Sequence, residues 1–405
     1  MPLGVNDLQK GADFMAKQAK RNAQGAGTIR QRPDGRWEAR YTLGRDPGTG
    51  KQVQKSIYGS TQAEVRKKLQ AVSVDIDNGV YTEPSKMTVG QWLDIWKSEY
   101  LGGVKQTTRY SYTKHCNNHI VPAFGACKLS ELKPHAIQAF YNNLQESKGL
   151  SAKTIKNLHG VFHKALAQAV KAGYIRANPA DSCELPRIEK KDIAPLTDSE
   201  IKSFLTAIRG DQYEACFIAA LFTGMRRSEV LGLTWDNVDF DKGLITVKRQ
   251  LQRDRDNKGQ FLLTSLKNNK SRCISPAPLV MNTLKSVKAK QTKDRLKAGA
   301  AWGNGDPINA GLVFTNEIGA HLSDVTLYKH YKRIVKSLGL ENARFHDLRH
   351  TYAVTALRNG DDVKTVQENL GYHTAAFTLD VYGHVTEQMK KESAARMEAY
   401  IKSLM

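Results

Sequence analysis

Cysteine is scarce in this sequence, and the few cysteines form no recognisable pattern. Their number is odd, their spacing is wide and none stands in a C-x-x-C pair; they are Cys116, Cys127, Cys183, Cys216 and Cys273. This distribution argues against a disulfide framework and against a zinc ribbon. We therefore expect reduced thiols, as in a cytoplasmic protein.

Long apolar runs are missing as well. No window approaches the ~18 apolar residues of a membrane span, and the N-terminal segment has no apolar stretch of the signal-peptide kind. The sequence also lacks a G-x-x-x-x-G-K-[ST] loop, an H-E-x-x-H helix and a carboxylate cluster of the two-metal type. We expect a soluble chain with no membrane partner.

Acidic residues are too few to balance the basic ones. Lys and Arg number 61 against 40 Asp and Glu, which gives a formal net charge of +21. Such a surplus favours a polyanionic partner, although a ribosomal protein or a protein of anionic membranes would carry it too. The 40% of hydrophobic residues are enough for packed cores, and 405 residues predict two or three domains.

The first 80 residues divide into a basic arm and a small sheet. Residues 1–26 are polar and basic, either an arm that folds on binding or a tail without a role. Residues 27–80 predict three strands followed by a helix with a capping box. A sheet of this kind can enter the DNA major groove; the alternative is a solvated basic face. The candidate DNA-binding residues are Arg30, Arg32, Arg36 and Arg40.

Helical periodicity follows in residues 87–182. Apolar side chains recur at i, i+3, i+4 and i+7 in four stretches, which predicts a four-helix domain with its aromatic residues in the core. Its candidate DNA-binding residues are exposed lysines and an arginine: Lys105, Arg109, Lys153 and Lys156.

A charged linker marked by proline leads into residues 191–405, the third predicted domain. Thr197 or Asp198 caps its first helix, and long helices are predicted over about 277–297 and 323–338. Short strands are predicted on both sides of a polar turn that contains Lys267. The fold class that we predict is mainly α with small β elements, in several domains.

Residues 345–384 concentrate side chains that handle protons and phosphates. They include the sequences H-D-L-R-H, L-G-Y-H and L-D-V-Y-G-H. An arginine can bind a phosphate through a two-bond fork, a histidine can move protons near neutral pH and a tyrosine can be a covalent nucleophile. Together they indicate covalent chemistry on a phosphodiester.

Several motifs of the C-terminal half resemble the boxes of the tyrosine recombinase (integrase) family. T-G-M-R-R-S-E is similar to the first arginine box and places Arg226 in it, with Glu229 as its acidic companion. L-K-N-N-K-S-R-C-I is similar to the β-hairpin that presents the family's lysine, here Lys267.

The remaining boxes follow in the family's order. H-D-L-R-H resembles the histidine–arginine box, at His346 and Arg349, and L-D-V-Y-G-H resembles the box of the nucleophile, Tyr382. One motif alone is weak evidence, but four in one order are strong. Weaker similarity covers nearly the whole chain, and residues 27–80 resemble the arm-binding domain of many phage and transposon integrases.

One box departs from the family pattern. Where the family most often has L-G-H, this chain has Leu370-Gly371-Tyr372, and His373 stands one position later. We assign the family's histidine role to His373. The alternative is that Tyr372 supplies the hydrogen bond.

The resemblance implies a site-specific integrase of a temperate phage or a conjugative transposon that acts on double-stranded DNA at core and arm-type sites. Two arginines would hold the phosphate, Tyr382 would attack it and Lys267 would protonate the 5′-oxygen. His346 would be a base or an orienting donor. The product would be a 3′-phosphotyrosine, and no ATP, metal or other cofactor would be needed.

The resemblance also implies partners. The tail after Tyr382 would join subunits into a dimeric or tetrameric complex on DNA, unless it packs on its own domain. A directionality factor and a DNA-bending protein are possible partners, and the expected location is the bacterial nucleoid. Two rival interpretations are a topoisomerase with the same chemistry and a DNA-binding regulator with a decayed site.

Overall fold

A computed structural model describes residues 27–46, 48–77, 86–189, 195–257, 259–266, 269–372 and 386–405. The chain forms two compact units, and the boundary between them falls between Ile188 and Glu189. The first unit contains the sheet module and the helical domain. The second contains the described boxes of the predicted catalytic domain.

The N-terminal module is a three-stranded antiparallel sheet with a helix on one face. Its elements are β1 (Thr28–Gln31), β2 (Trp37–Arg45), β3 (Gln52–Gly59) and α1 (Gln62–Asp77). Ala39 and Tyr41 of β2 form a core with Val65 and Leu69 of α1. Because side chains alternate along a strand, the other face of the sheet is left open to solvent.

The helical domain consists of four helices, as the sequence predicts. They are α2 (Val89–Glu99), α3 (Gln106–His115) continued by a π-helical turn (Cys116–Ile120) and α4 (Val121–Phe124), α5 (Pro134–Glu146) and α6 (Ala152–Lys171). Thr88 and Gln91 form a capping box on α2, and Ser151 caps α6. Trp92 is fully buried, and its indole N–H donates to the Ala165 carbonyl at 2.9 Å.

The second unit is mostly helical. Its helices are α7 (Asp198–Ala207), α8 (Glu214–Thr223), α9 (Arg227–Leu231), α10 (Pro278–Ala298), α11 (Asp324–Ser337), α12 (Phe345–Arg358), α13 (Val363–Leu370) and α14 (Thr386–Leu404). Short 3-10 segments occur at Leu129–Glu131 in the first unit and at Trp235–Asn237, Gly299–Gly305 and Pro307–Asn309 in the second. Apolar α8 is buried on almost every side and forms the centre of the core.

Five short strands complete this unit. They are β4 (Val238–Asp239), β5 (Leu244–Val247), β6 (Arg249–Arg253), β7 (Phe261–Ser265) and β8 (Arg272–Ile274). They form two antiparallel sheets, one with the order β4-β5-β8 and one with the pair β6-β7.

The prediction that Lys267 lies in a turn between two paired strands is wrong in one respect. The strand before Lys267, β7, pairs with β6, whereas the strand after it, β8, pairs with β5. The segment with Lys267 therefore connects two sheets. The reason lies in β8, where Ile274 is buried opposite Ile245 and Arg272 is anchored to buried Glu229.

Within the parts of the chain that the structure describes, no helix is both long enough and apolar enough to cross a bilayer.

Candidate active site

Arg226 stands in the short connection between α8 and α9. It is the N-cap of α9, with an extended backbone. Its backbone N–H donates to Glu229 Oε2 at 2.8 Å, and its Nη1 donates to Glu229 Oε1 at 2.7 Å. The side chain keeps 28% of its surface exposed, so the guanidinium can still reach a ligand.

Gly224 ends α8 two residues before Arg226. Its φ of 63° is left-handed, a conformation that favours glycine. A Cβ at this position would lie 2.6 Å from side-chain atoms of Leu370 and Tyr352. The absence of a side chain therefore lets α12 and α13 approach the end of α8.

Glu229 is a buried carboxylate between two arginines. Arg272 reaches it from β8 with Nη2 at 2.5 Å from Oε2 and Nη1 at 3.1 Å from Oε1. Burial alone would raise the pKa of Glu229, but the hydrogen bonds and charges of Arg272 and Arg226 lower it to about 2. The carboxylate is therefore ionised at neutral pH and fixes both guanidinium groups.

Arg349 lies on α12 and is almost fully buried, with 1% of its surface exposed. Its Nη1 donates to the Gly224 carbonyl at 2.6 Å, and its Nη2 donates to the Leu370 carbonyl. Its Nε lies 3.4 Å from the Tyr372 hydroxyl, and its guanidinium is 4.7 Å from the centroid of that ring. Burial, and next the charge of Arg226, lower the pKa of Arg349.

His346 and His350 are one turn apart on α12. Their rings lie 4.8 Å apart at nearly a right angle. His346 is partly exposed to solvent. Desolvation, and then the charges of His350, Arg349 and Arg226, lower its pKa to about 4. Burial lowers the pKa of His350 to about 4 as well. Both imidazoles are therefore neutral at pH 7, so each can accept a proton.

A cleft of about 480 Å³ opens beside these groups. Arg226 and Tyr372 line it together with several further basic side chains. Among the described residues, its lining is Arg226, Leu266, Lys270, Ser271, Arg272, Cys273, Lys364, Gln367, Glu368, Gly371 and Tyr372. A basic cleft of this kind suits a phosphate group.

Three of the six predicted catalytic residues lie in described parts of the chain. The structure brings Arg226, His346 and Arg349 together. The other three lie outside the described residues: Lys267, His373 and Tyr382. No sequence motif assigned a role to Arg272, although the S-R-C run after the lysine segment contains it.

Two of the four predicted DNA contacts of the sheet, Arg30 and Arg40, lie around one buried carboxylate. Glu38, with 2% exposure, accepts hydrogen bonds from Arg30 at 2.7 Å, from Arg40 at 3.3 Å and from Ser56 at 2.8 Å. The bonds from Ser56, Arg30 and Arg40 lower the pKa of Glu38 to about 2. Arg30 and Arg40 keep 58% and 49% of their side chains exposed on the open face.

The other candidate contacts are also at the surface. Arg32 lies over the ring of Tyr58, at 5.5 Å from its centroid, and Arg36 pairs with Asp34 at 2.8 Å. In the helical domain the four candidates stand at the beginnings of α3 and α6, two of them exposed and two half-buried: Lys105, Arg109, Lys153 and Lys156.

Comparison with known proteins identifies the family. The model of the phage integrase family matches residues 195–389, and that of the phage integrase N-terminal SAM-like domain matches residues 88–145. A tyrosine recombinase XerC-like protein of Caldanaerobacter subterraneus subsp. tengcongensis is 31% identical over 373 residues, which cover 86% of this chain and 92% of that protein. The chain belongs to the phage integrase family. It is a tyrosine-type site-specific recombinase.

Further relatives come from mobile elements. The ICEBs1 integrase of Bacillus subtilis is 24% identical over 394 residues, 92% of this chain and 99% of that protein. The activity of the recombinase is thus the site-specific integration and excision of DNA.

Solved structures share its fold. A Tn1549 transposon integrase in complex with transposon right end DNA has a TM-score of 0.66 at 24% identity and covers 77% of this chain and 100% of that one. A lambda integrase dimer bound to a core site has a TM-score of 0.54 at 18% identity, with 88% and 95% covered. The recombinase therefore has the mostly helical integrase fold, with small antiparallel sheets.

Proposed function

We propose that Arg226 and Arg349 hold the scissile phosphate of one DNA strand while Tyr382 attacks it. Both arginines stay charged at any working pH, so they can neutralise the charge that develops on the equatorial oxygens. Arg349 has five N–H donors, so it can keep its contacts with Gly224, Leu370 and Tyr372 and still donate to a phosphate.

The proton transfers follow from the same groups. The Tyr382 hydroxyl oxygen forms the new bond to phosphorus, and neutral His346 takes the phenol proton or orients the phosphate with its N–H. The bond between phosphorus and the 5′-oxygen breaks, and that oxygen receives a proton from the Lys267 ammonium. The 3′-phosphotyrosine keeps the phosphodiester free energy, and a 5′-hydroxyl from another strand releases the tyrosine in the reverse step.

The meeting of Arg226 and Tyr372 at one basic cleft, with buried Arg349 stacked on the Tyr372 ring, supports this function most strongly. Arg226 and Tyr372 line the cleft, and Arg349 bonds to the carbonyl of Gly224, only two residues from Arg226. His346 is near enough for the charges of both arginines to lower its pKa. We assign His373, next to Tyr372, as a further donor to a non-bridging oxygen.

The remaining domains would bind DNA outside the cleavage point. The sheet module, residues 27–80, would bind arm-type sites through the open face with Arg30 and Arg40. The helical domain, residues 87–182, and the catalytic domain, residues 191–405, would hold the core site. The protein would work on the nucleoid in the bacterial cytoplasm, together with a directionality factor and a DNA-bending protein.

Self-association on DNA would use the C-terminal helix. In α14 a row of apolar side chains is exposed, with 59% for Met397, 60% for Tyr400, 44% for Ile401 and 69% for Leu404. The second unit also has a groove of about 750 Å³ between α7, α8 and α12, with Ile201, Leu205 and Phe222 in its lining. We propose that α14 of a second copy occupies this groove, which would link subunits into a dimer or tetramer.

The decisive experiment is incubation of the protein with a nicked attachment-site duplex, followed by a denaturing gel. A covalent protein–DNA adduct is expected for the natural protein and should vanish in Tyr382→Phe, since phenylalanine has no nucleophilic oxygen. An adduct that persists in Tyr382→Phe would assign the nucleophile elsewhere.

A further inference from the structure

The open face of the N-terminal sheet has an acidic residue in its middle strand. Glu38 lies in β2, and the register places it opposite Arg30 of β1 and Tyr58 of β3. Arg40, two residues further along β2, stands opposite Ser56 of β3. Because residues two apart in a strand and residues opposite each other share a face, all five side chains lie on the face that α1 leaves uncovered.

The Glu38 carboxylate is nearly inaccessible to solvent because its neighbours cover it. Its exposed fraction is 2%. Oε2 accepts a hydrogen bond from Nε of Arg30 at 2.7 Å, and Nη2 of Arg30 lies at 2.7 Å from the same oxygen. Oε1 accepts from Ser56 Oγ at 2.8 Å, from Arg40 Nε at 3.3 Å and from the Tyr58 hydroxyl at 3.4 Å. Side chains from all three strands thus converge on one acid.

A carboxylate is electrostatically unfavourable on a face that meets DNA, because it repels the phosphates. The hydrogen bonds from Ser56, Arg30 and Arg40 nevertheless lower the pKa of Glu38 to about 2, so the group is ionised at neutral pH. Its negative charge cancels half of the charge that the two arginines supply. A contribution of Glu38 to DNA binding must therefore come from geometry rather than from charge.

The geometry concerns the edges of the two guanidinium groups. A guanidinium has five N–H donors in one plane. Glu38 binds the side edge of Arg30, formed by Nε and Nη2, and it binds Nε of Arg40. The end of a guanidinium, with the outer hydrogens of Nη1 and Nη2, is a second edge, and it matches two oxygens of a phosphate. The side chains of Arg30 and Arg40 are 58% and 49% exposed, so a phosphate can approach them.

This restraint matters because arginine side chains are long and flexible. An arginine that is mobile before binding loses rotamer freedom on a phosphate, which weakens binding by roughly 2- to 10-fold for each side chain. In the folded module, the hydrogen bonds to Glu38 already restrict Arg30 and Arg40. Most of this entropy is therefore lost on folding and not on binding DNA.

We infer that Glu38 is a positioning residue of DNA binding, which fixes Arg30 and Arg40 as two phosphate-binding groups on the open sheet face. The inference rests on the proposed function, in which this face binds arm-type DNA. Removal of the negative charge at Glu38 then weakens DNA binding, although the net charge of the protein becomes more positive. Coulomb attraction alone would have the opposite effect and strengthen binding.

The test measures the affinity of the full-length protein for a duplex with an arm-type site, by fluorescence anisotropy at one salt concentration. The variants are Glu38→Gln, Arg30→Ala combined with Arg40→Ala, and the triple variant. Glu38→Gln keeps the size of the side chain and removes its charge. Glu64→Gln is the matched control, because it removes the same charge from the same module, at a carboxylate that pairs with Lys68 of α1.

We expect Glu38→Gln to weaken binding roughly 10-fold, and Glu64→Gln to leave the affinity unchanged or slightly higher. In the background without Arg30 and Arg40, Glu38→Gln should no longer weaken binding, because no arginine is left for it to position. Amide hydrogen exchange in β1, β2 and β3 is measured on the same variants. Protection of these strands should be the same in Glu38→Gln as in the natural protein.

Unchanged or tighter binding by Glu38→Gln, or equal weakening with and without the two arginines, overturns the inference while the open face keeps its function. Lost amide protection in Glu38→Gln would assign Glu38 to the stability of the sheet and overturn the inference as well. If Arg30→Ala combined with Arg40→Ala does not weaken binding to the arm-type duplex, the proposed function of the module is wrong, and the inference about Glu38 fails with it.

Discussion

Arg349 illustrates how a charged side chain can be buried at a site that must bind an anion. A buried guanidinium is destabilising unless acceptors surround it, and here the carbonyls of Gly224 and Leu370 and the Tyr372 hydroxyl provide them. These acceptors also fix its orientation. A small displacement of a catalytic group can cost about 100-fold in rate. Loss of Tyr372 should therefore slow cleavage, because Tyr372 helps to hold Arg349 in place.

Tyr372→Ala should slow strand cleavage by about 100-fold, because Arg349 loses both its stacked ring and one acceptor. Tyr372→Phe keeps the ring and should cost only a few-fold. Single-turnover cleavage of a nicked duplex measures both. Tyr328→Phe is a suitable control, since Tyr328 also stacks with an arginine, Arg227, at 5.1 Å. A full effect in Tyr372→Phe would show that the hydroxyl, rather than the stack, is what counts.

Acid should destabilise the protein through His350. Its pKa is about 4 in the folded state because of burial, against an ordinary value of 6.5. The unfolded chain therefore gains a proton between pH 6.5 and 4 that the folded chain does not, so the free energy of unfolding falls as the pH is lowered through this range. Below pH 4 both states are protonated and the loss stops.

Urea unfolding at several pH values should show this loss, and His350→Gln should reduce it by on the order of 2 kcal/mol between pH 7 and 4.5. His135→Gln, an exposed residue of α5, should leave the pH dependence unchanged. Parallel curves for the natural protein and His350→Gln would contradict the assignment.

At the scale of single residues, the sequence predicts contacts between side chains that are close in the chain. Arg226 and Glu229 are three residues apart and pair directly, so the motif predicted their contact. Arg272 bonds to residues 43 and 97 positions away. No local pattern contains such a contact, because it depends on how β8 and α13 pack on α9.

Helix ends were the most predictable feature among the elements. The sequence predicts a cap at Thr197 or Asp198, and Thr197 is the N-cap of α7, in a capping box with Glu200. A cap depends on local hydrogen bonds, so a few neighbouring residues determine it. Strand pairing was less predictable. β7 and β8 flank one short segment but join different sheets, because the choice of a strand partner depends on distant elements and on the burial of Ile274.

The open face of the N-terminal sheet leads to a prediction about DNA affinity. Arg30→Ala combined with Arg40→Ala should weaken DNA binding and lower the slope of log affinity against log salt by about 2, since each phosphate contact contributes about 0.9. Fluorescence anisotropy with arm-type DNA over a range of salt concentrations measures this slope.

The control has the same loss of charge on the other side of the module. Arg66 and Lys67 are exposed on α1, which covers the opposite face of the sheet. Arg66→Ala combined with Lys67→Ala should leave the slope nearly unchanged. If both double variants lower the slope of log affinity against log salt by the same amount, the open face has no special role in DNA binding.

At the scale of the whole molecule, the charge of +21 is distributed over a chain of two compact units. Composition alone predicted a polyanionic partner but left the number of subunits open. That number depends on which surfaces meet between copies, and a single sequence does not contain this information. The exposed apolar row of α14 is a feature of the structure that bears on the number of subunits.

Deletion of residues 390–405 should leave DNA binding intact and impair assembly of multimers on DNA. The deleted segment contains the apolar row of α14, whose burial would stabilise a subunit contact. Ile401→Glu should act in the same direction, whereas Ser403→Glu, about half a turn away on the helix, should assemble normally. Gel-shift and sedimentation measurements on core-site DNA report the assemblies. Unchanged multimers after truncation would place the contact elsewhere.

Gly224 has a consequence for anyone who wishes to alter this protein by directed evolution. A methyl group there would meet Leu370 and Tyr352 at 2.6 Å. Leu370 is on α13, whose end accepts a hydrogen bond from Arg349, and Tyr352 is on α12, which carries Arg349. The mutational tolerance of the position should therefore be close to nil, even though it lacks any side chain that could touch DNA. Libraries that seek new target sites are better concentrated on the open sheet face and the surface of the helical domain, with residue 224 left constant.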